Sequence, residues 1–215
     1  MILTAATVLT GEHSHSPGWV EVDRGVVVGV GSGDPPRPAD LALGDAVLTP
    51  GFVDMHVHGG GGGAFFDATD EAVTASVDLH RRFGTTSMMA SLVSDHHDVL
   101  LAQVRALADH VEAGELIGIH LEGPWLSPQR CGAHEPSALR DPDPAEVGAL
   151  LEAGRGTIRM VTLAPELPGA TEAIRRIVDG GAVAAIGHTE ATYEQARAAI
   201  DAGATVATHL FNAMR

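Results

Sequence analysis

Short apolar runs alternate with turn residues along the first 48 residues of the chain. The runs cover residues 2–9, 19–22, 26–30 and 46–48, and glycine and proline are frequent between them. Short runs bounded by turn residues are typical of β-strands. The pattern therefore predicts a small antiparallel β domain over residues 1–49, which we interpret as the N-terminal half of a β-sandwich.

After Pro50 and Gly51 the pattern changes to strand-length apolar runs that alternate with helix-length segments. The predicted strands cover residues 52–58, 85–93, 115–121, 157–163, 182–187 and 204–210. This alternation indicates an α/β fold with a parallel sheet. A whole TIM-type (β/α)8 barrel takes roughly 250 residues, so residues 50–215 predict an incomplete barrel of about six of the eight units. A doubly wound open sheet is the alternative, but no G-x-G-x-x-G motif follows the first strand.

Local signals support two of the helices and one long loop. Thr192 and Gln195 have the spacing of a capping box, which predicts that a helix begins there. Residues 123–142 are too rich in proline and glycine for a helix, so we expect a loop over the strand ends. Four apolar residues between the second and third strands repeat at helical spacing: Leu100, Val104, Leu107 and Val111.

Composition limits the compartment and the partners. A formal net charge of −15 disfavours nucleic acid and anionic membranes as partners. The one cysteine, Cys131, allows no internal disulfide and is typical of a reducing compartment. No apolar run is long enough to span a bilayer, so we expect a cytoplasmic protein. All 13 basic residues are arginine. The chain therefore has no lysine, the residue that some barrel hydrolases carbamylate to bridge two metal ions.

Histidines and one glutamate stand at the carboxyl ends of four predicted strands. His56 and His58 end the first strand, and residues two apart on a strand point to the same face. Glu122 ends the third strand, His188 the fifth and His209 the sixth. Functional residues of barrel enzymes gather at these ends, and several histidines with one carboxylate are typical of a hydrolytic metal site.

We therefore predict a metal site formed by five residues: His56, His58, Glu122, His188 and His209. One or two divalent ions fit this set. In the second case, each pair of histidines holds one ion and Glu122 bridges them. Zinc is the expected metal, and iron, manganese and cobalt are alternatives.

Other polar residues near these positions have competing interpretations. Asp54 shares the face of the first-strand histidines, and we expect it to orient a ligand rather than to bind metal. His120 either packs in the barrel interior or lies near the site. Cys131 is either an inert loop thiol or a thiol that faces the site, and glycines 59–63 are expected to shape the mouth of the site. Four further histidines are expected at the surface: His80, His96, His97 and His110.

Longer motifs around these residues carry a resemblance to a known family. Residues 50–54 read P-G-F-V-D, residues 120–126 read H-L-E-G-P-W-L, residues 132–134 read G-A-H, and residues 208–214 read T-H-L-F-N-A-M. With these motifs the chain resembles the amidohydrolase superfamily and, within it, the N-acetylglucosamine-6-phosphate deacetylases. The resemblance runs from about residue 2 to the last residue given.

The resemblance implies an activity, a substrate and residue roles. The implied reaction is hydrolysis of the acetamide of N-acetylglucosamine-6-phosphate to glucosamine-6-phosphate and acetate, by attack of metal-bound hydroxide. It implies that Glu122, His188 and His209 bind metal, that the first-strand pair forms a second metal site, and that the protein is a homodimer. Two residue pairs are implied to contact the phosphorylated amino sugar: Ala133 with His134, and Asn212 with Ala213.

The resemblance also places the general acid–base, an aspartate on the last barrel strand of the family, beyond Arg215. The 215-residue chain alone is therefore expected to be inactive. Two other classes of function are open: another amidohydrolase, such as a cyclic-amide hydrolase or a deaminase, or an inactive truncated module that binds metal. The long motifs disfavour the first, and the unpaired strand edges of an open barrel disfavour the second.

Overall fold

The computed structural model describes residues 1–215, and its internal contacts divide the chain into two compact units. The first unit is Met1–Phe52 and the second is Val53–Arg215. This boundary lies a few residues after the predicted one, because the first residue of the first barrel strand is grouped with the preceding β unit.

The first unit contains seven short strands in two sheets. The sheet orders are β5-β4-β1-β6 and β3-β2-β7. The predicted single strand over residues 2–9 breaks at Ala6, and its two parts join different sheets. The prediction of a purely antiparallel arrangement is wrong, because β6 pairs parallel to β1 and β7 pairs parallel to β2. That the unit is half of a sandwich stays a prediction. The strands are β1 (Ile2–Ala5), β2 (Thr7–Leu9), β3 (Ser14–His15), β4 (Gly18–Asp23), β5 (Val26–Ser32), β6 (Leu41–Ala42) and β7 (Val47–Leu48).

The barrel sheet has six strands whose order in the sheet is their order along the chain. The pairs from β11 to β15 are parallel. Sequential parallel neighbours belong to a TIM-type barrel, whereas the strand order of a doubly wound sheet reverses. A hairpin of β9 (Gly59–Gly60) and β10 (Gly63–Ala64) follows the first of them. The six are β8 (Phe52–Val57), β11 (Thr85–Leu92), β12 (Gly118–Glu122), β13 (Ile158–Leu163), β14 (Val183–Ile186) and β15 (Val206–Ala207).

All six predicted barrel strands are confirmed, but the last is much shorter than predicted. It covers Val206–Ala207 instead of residues 204–210. The chain leaves the extended conformation after it, and His209 has a φ of 53°. The backbone there forms a turn over residues 208–211 instead of continuing the strand.

Five α-helices cover the outer face of the sheet. In α2, which is the predicted amphipathic helix, Leu100, Val104 and Leu107 are fully buried and Val111 packs against the core. Buried side chains of the strands, such as Ile119, meet this face. The helices are α1 (Asp70–Arg82), α2 (His97–Glu112), α3 (Pro144–Ala153), α4 (Ala170–Asp179) and α5 (Tyr193–Asp201).

The predicted helix start and the predicted loop are also confirmed. The Thr192 hydroxyl accepts a hydrogen bond from the Gln195 amide at 3.4 Å, and the Gln195 side chain accepts one from the Thr192 amide at 2.8 Å. Residues 123–142 form a loop whose regular structure is limited to two 3₁₀ turns, Pro128–Arg130 and Pro136–Ala138. None of the five helices combines the length and apolarity that a membrane crossing requires.

Candidate metal centre

The carboxylate of Glu122, at the end of β12, is the centre of a cluster of imidazole rings. Its Oε1 lies 3.1 Å from Nε2 of His188 and 2.8 Å from Nε2 of His209. Its Oε2 lies 2.9 Å from Nε2 of His58 and 3.2 Å from Nε2 of His56. The structure thus brings all five predicted metal ligands together, although they come from four different strand ends.

The tautomers of two of these rings follow from what faces Nδ1. His58 Nδ1 lies 3.0 Å from the Ser91 carbonyl oxygen, and His188 Nδ1 lies 2.7 Å from the Arg130 carbonyl oxygen. A carbonyl oxygen only accepts hydrogen bonds, so Nδ1 carries the proton in both rings. When neutral, each ring therefore has its lone pair on Nε2, as a metal-binding histidine does. When protonated, each ring donates a hydrogen bond from Nε2 to Glu122 instead.

His134 belongs to the same cluster but has the opposite tautomer. Its Nε2 lies 3.5 Å from Glu122 Oε2, and Glu122, His134 and His188 lie close enough together to hold an ion. However, the backbone N–H of Ser94 donates to His134 Nδ1 at 3.1 Å. Nδ1 is therefore an acceptor, and the neutral ring carries its proton on Nε2. His134 offers a hydrogen-bond donor to the site instead of a lone pair.

Two of the predicted ligand histidines have a left-handed backbone conformation. The φ angle is 48° at His188 and 53° at His209. Non-glycine residues held in this region cost on the order of 1–3 kcal/mol each, and they concentrate at functional sites. The turns at the ends of β14 and β15 thus direct both imidazoles toward Glu122.

The surrounding rings decide the charge of the carboxylate. Burial opposes ionisation of Glu122, but hydrogen bonds from His134, His188, His56 and His58 outweigh it and hold the pKa of the carboxyl far below its ordinary value. Burial likewise lowers the pKa of His188, but the hydrogen bonds to Glu122 and to the Arg130 carbonyl outweigh it, so that pKa is raised. An anionic oxygen among imidazole nitrogens is a donor set that suits zinc and other first-row divalent ions.

His120 packs in the barrel interior directly beside this cluster. Its Nδ1 lies 2.9 Å from the Ser91 hydroxyl and its Nε2 lies 2.8 Å from the Thr162 hydroxyl. Burial, together with the charge on neighbouring His56, lowers the pKa of His120 to about 3. Both interpretations from the sequence therefore hold: the ring is a packed, neutral interior residue, and its centre lies 4.6 Å from that of His56.

Comparison with known proteins identifies the family to which this site belongs. Residues 47–215, most of the chain, match the amidohydrolase family. The chain belongs to the amidohydrolase family. N-acetylgalactosamine-6-phosphate deacetylase of Shewanella sp. (strain ANA-3) is 36% identical over 224 residues, which cover 100% of this chain and 56% of that protein. N-acetylglucosamine-6-phosphate deacetylase of Bacillus subtilis (strain 168) is 32% identical, with 100% and 57% covered.

Solved structures of a Mycobacterium smegmatis protein are more similar to this amidohydrolase. N-acetyl-D-glucosamine-6-phosphate deacetylase of that organism is 60% identical with a TM-score of 0.99, covering 100% of this chain and 57% of that one. A mutant of it in complex with N-acetyl-D-glucosamine-6-phosphate has a TM-score of 0.98 at the same identity, with 100% and 56% covered. The chain spans slightly more than half the length of these relatives.

The remaining predicted residues of the amidohydrolase lie within four residues of a cluster histidine along the chain. Asp54 accepts a hydrogen bond from the backbone N–H of His56 at 3.1 Å, so it orients the main chain of that predicted ligand. Ala133 precedes His134 and is exposed. Asn212 is exposed, and the Ala213 carbonyl accepts a hydrogen bond from the Thr189 amide at 3.0 Å. Cys131 is half-buried, and both interpretations of its thiol stay open.

The surface prediction for four histidines is only half right. His96 and His97 are exposed, but His80 and His110 are half-buried because acceptors hold their rings. His80 Nε2 lies 3.0 Å from the Gly59 carbonyl oxygen. The His110 ring lies between two carboxylates, Glu115 at 2.7 Å and Asp70 at 3.3 Å.

The glycine run packs its backbone closely against α1. The Ser76 hydroxyl contacts backbone groups of Gly60 and Gly63. A Cβ atom at Gly61 would lie 2.6 Å from the Ala75 carbonyl oxygen, and one at Gly63 equally close to that of Ala72. Glycine is therefore required for helix contact, and a role at the mouth of the site stays a prediction.

Proposed function

We propose that this amidohydrolase is a metal-dependent deacetylase that hydrolyses the acetamide of N-acetylglucosamine-6-phosphate to glucosamine-6-phosphate and acetate. The observation that carries the proposal is the Glu122 cluster, an anionic carboxylate surrounded by imidazoles at the carboxyl ends of barrel strands. The identity of 60% to the M. smegmatis deacetylase, which has a structure with this sugar phosphate, supports the choice of substrate.

The ligand residues fit a divalent ion. Glu122, His188 and His209 would hold one ion, and His56 and His58 would hold a second with Glu122 shared between them. Zinc is the proposed metal, and iron, manganese and cobalt suit the same donors. When bound, such an ion lowers the pKa of a coordinated water toward ~7 and polarises an amide carbonyl.

His134 is the proposed donor to the acetamide oxygen. The Ser94 amide fixes the proton on Nε2, and the ring is almost completely buried. A buried donor aimed at an oxygen that gains negative charge during reaction typically contributes about 10²–10³ in rate. Ala133, Asn212 and Ala213 are proposed to contact the sugar phosphate.

The proposal extends to the whole protein. The proton for the leaving amine requires a general acid, which we infer to be an aspartate outside these 215 residues, as the family resemblance implies. We further propose a cytoplasmic homodimer. The 215-residue chain by itself is expected to bind metal without turnover.

Acetate release tests this function. The protein as its organism makes it, loaded with zinc, is expected to release acetate from N-acetylglucosamine-6-phosphate, and Glu122→Gln is expected to abolish the activity. N-acetylgalactosamine-6-phosphate is assayed in parallel, because the Shewanella relative is named for that sugar. Turnover of a cyclic amide or of an aminated base, with no acetate from either sugar, would contradict the proposal.

A further inference from the structure

The orientation of His188 depends on a loop carbonyl. Its Nδ1 lies 2.7 Å from the carbonyl oxygen of Arg130, in the turn Pro128–Arg130. The same turn is tied to His188 a second time, because the Ser127 amide donates to the His188 carbonyl at 2.9 Å. The direction of the Nε2 lone pair is therefore set by where this turn lies.

Side-chain hydrogen bonds connect the two segments that meet at this contact. The Arg130 guanidinium donates to Glu190, two residues after His188. The Glu190 amide donates to the Glu166 carboxylate at 2.6 Å, and the Thr189 hydroxyl donates to the same carboxylate. The segment 188–190 is thus held on one side by Glu166 and on the other by the side chain of the residue whose carbonyl faces His188.

The Arg130–Glu190 ion pair is too exposed to contribute much to the stability of the fold. Its side chains are 36% and 35% exposed, and ion pairs this accessible contribute about 0–1 kcal/mol to stability. Its position matters more than its energy, because it joins the loop that supplies the carbonyl to the segment that carries the ligand. Changes to groups that orient a ligand histidine typically cost about 10–100-fold in metal affinity.

We propose that Arg130 and Glu190 are positioning residues for the metal ligand His188, acting through the Arg130 carbonyl. This inference rests on the metal site of the proposed function. The pair holds the turn so that the carbonyl keeps the proton on Nδ1 and aims Nε2 at the space beside Glu122. Neither side chain contacts the metal or the substrate in this role.

Metal affinity of substituted chains tests the proposal. Arg130→Met removes the guanidinium but leaves the carbonyl that faces His188, and Glu190→Gln removes only the charge. Arg155→Met and Glu112→Gln are matched controls, because Arg155 pairs with Glu112 at 2.8 Å on the exposed surface. Zn²⁺ affinity is measured by competition with a chromophoric chelator, and the visible spectrum of bound Co²⁺ reports the ligand geometry.

Arg130→Met and Glu190→Gln are expected to lose about 10–100-fold in Zn²⁺ affinity and to change the Co²⁺ spectrum, while both controls stay within about 2-fold. Arg130→Lys is expected to regain part of the affinity. Unchanged affinity and spectrum in Arg130→Met and Glu190→Gln would overturn the proposal, as would metal-free melting temperatures that fall well below those of the controls.

The outcome also separates this inference from the proposed function. A wild-type protein that binds no metal overturns both. A wild-type protein that binds zinc but releases no acetate contradicts the deacetylase alone, because the positioning role is measured by affinity and spectrum without turnover.

Discussion

Glu146 on α3 contacts residues near both ends of the loop 123–142, and we predict that its substitution destabilises the protein. Its carboxylate accepts hydrogen bonds from the Trp125 indole at 3.1 Å and from Arg140 Nε at 3.0 Å. Arg140 Nη1 in turn donates to the Asp95 carbonyl at 2.9 Å. Asp95 follows Ser94, whose amide fixes the tautomer of the imidazole at position 134. The substitution Glu146→Gln keeps the shape of the side chain and removes its charge.

The size of the effect follows from these contacts. The charge-assisted bond to Arg140 contributes about 1.5–3 kcal/mol, and a buried donor left without a partner costs about 1–3 kcal/mol. Trp125 is 1% exposed, and a glutamine has one acceptor oxygen for donors that two oxygens now serve. Because neighbouring effects are not additive, we expect Glu146→Gln to lower the free energy of unfolding by about 3 kcal/mol.

The same contacts predict how the effect depends on pH. Burial opposes ionisation of Glu146, but hydrogen bonds from Arg140 and Trp125 outweigh it and lower its pKa from the ordinary 4.5. A group whose pKa is lower in the folded state stabilises fully above its unfolded pKa, and this contribution is lost as the pH falls through the folded value. The stability gap between wild type and Glu146→Gln is therefore full at pH 7 and shrinks below pH 4.5.

Urea unfolding between pH 7 and pH 3 measures this gap. With a typical slope of about 2 kcal/mol per molar urea, the midpoint is expected to fall by about 1.5 M at pH 7. Glu152→Gln is the control, because Glu152 lies exposed on the same helix. A loss no larger than that of the control, or a gap that keeps its full size below pH 4.5, would refute the reasoning.

Three further predictions concern the site itself. Glu122→Gln removes the anion of the cluster and is expected to lower Zn²⁺ affinity at least ~100-fold, measured by equilibrium dialysis; retention of zinc would contradict the ligand role. His134→Gln is expected to lower kcat about 10²–10³-fold with zinc content unchanged, so a loss of zinc would show that His134 is a ligand instead. Gly123→Ala places a Cβ atom 2.2 Å from the Ser94 hydroxyl oxygen at a φ of 84°, with an expected loss of about 2–4 kcal/mol in urea unfolding. Gly114→Ala has a similar φ but open space, and is expected to lose only about 1 kcal/mol; equal losses would argue against the clash.

The sequence predicts the barrel strands and the ligand set because both depend on short-range patterns and one general rule. Apolar runs bounded by turns locate the strands, and parallel strands bring their carboxyl ends to one edge. His58 and His188 each lie more than 60 residues from Glu122 along the chain, yet this rule alone predicts that the three residues meet.

The groups that orient the imidazoles could not be predicted in the same way. Ser91 and Arg130 act through carbonyl oxygens and Ser94 through an amide, and every residue except proline offers both groups. Their identity therefore leaves no signal in the sequence. The parallel pairing of β6 and β7 was missed for a related reason, since each has two residues and its partner is distant in the chain.

Main-chain groups, rather than residue types, decide which histidine of the cluster presents a lone pair and which presents a proton. His188 faces a carbonyl and His134 faces an amide, so chemically identical rings present a lone pair and a proton, respectively. The loop 123–142 takes part in both contacts, because it supplies the Arg130 carbonyl to one ring and carries the other. A displacement of this loop is therefore expected to disturb the proposed metal binding and hydrogen-bond donation together, although the ion pair of the Arg130 side chain is with Glu190 and not with Glu122.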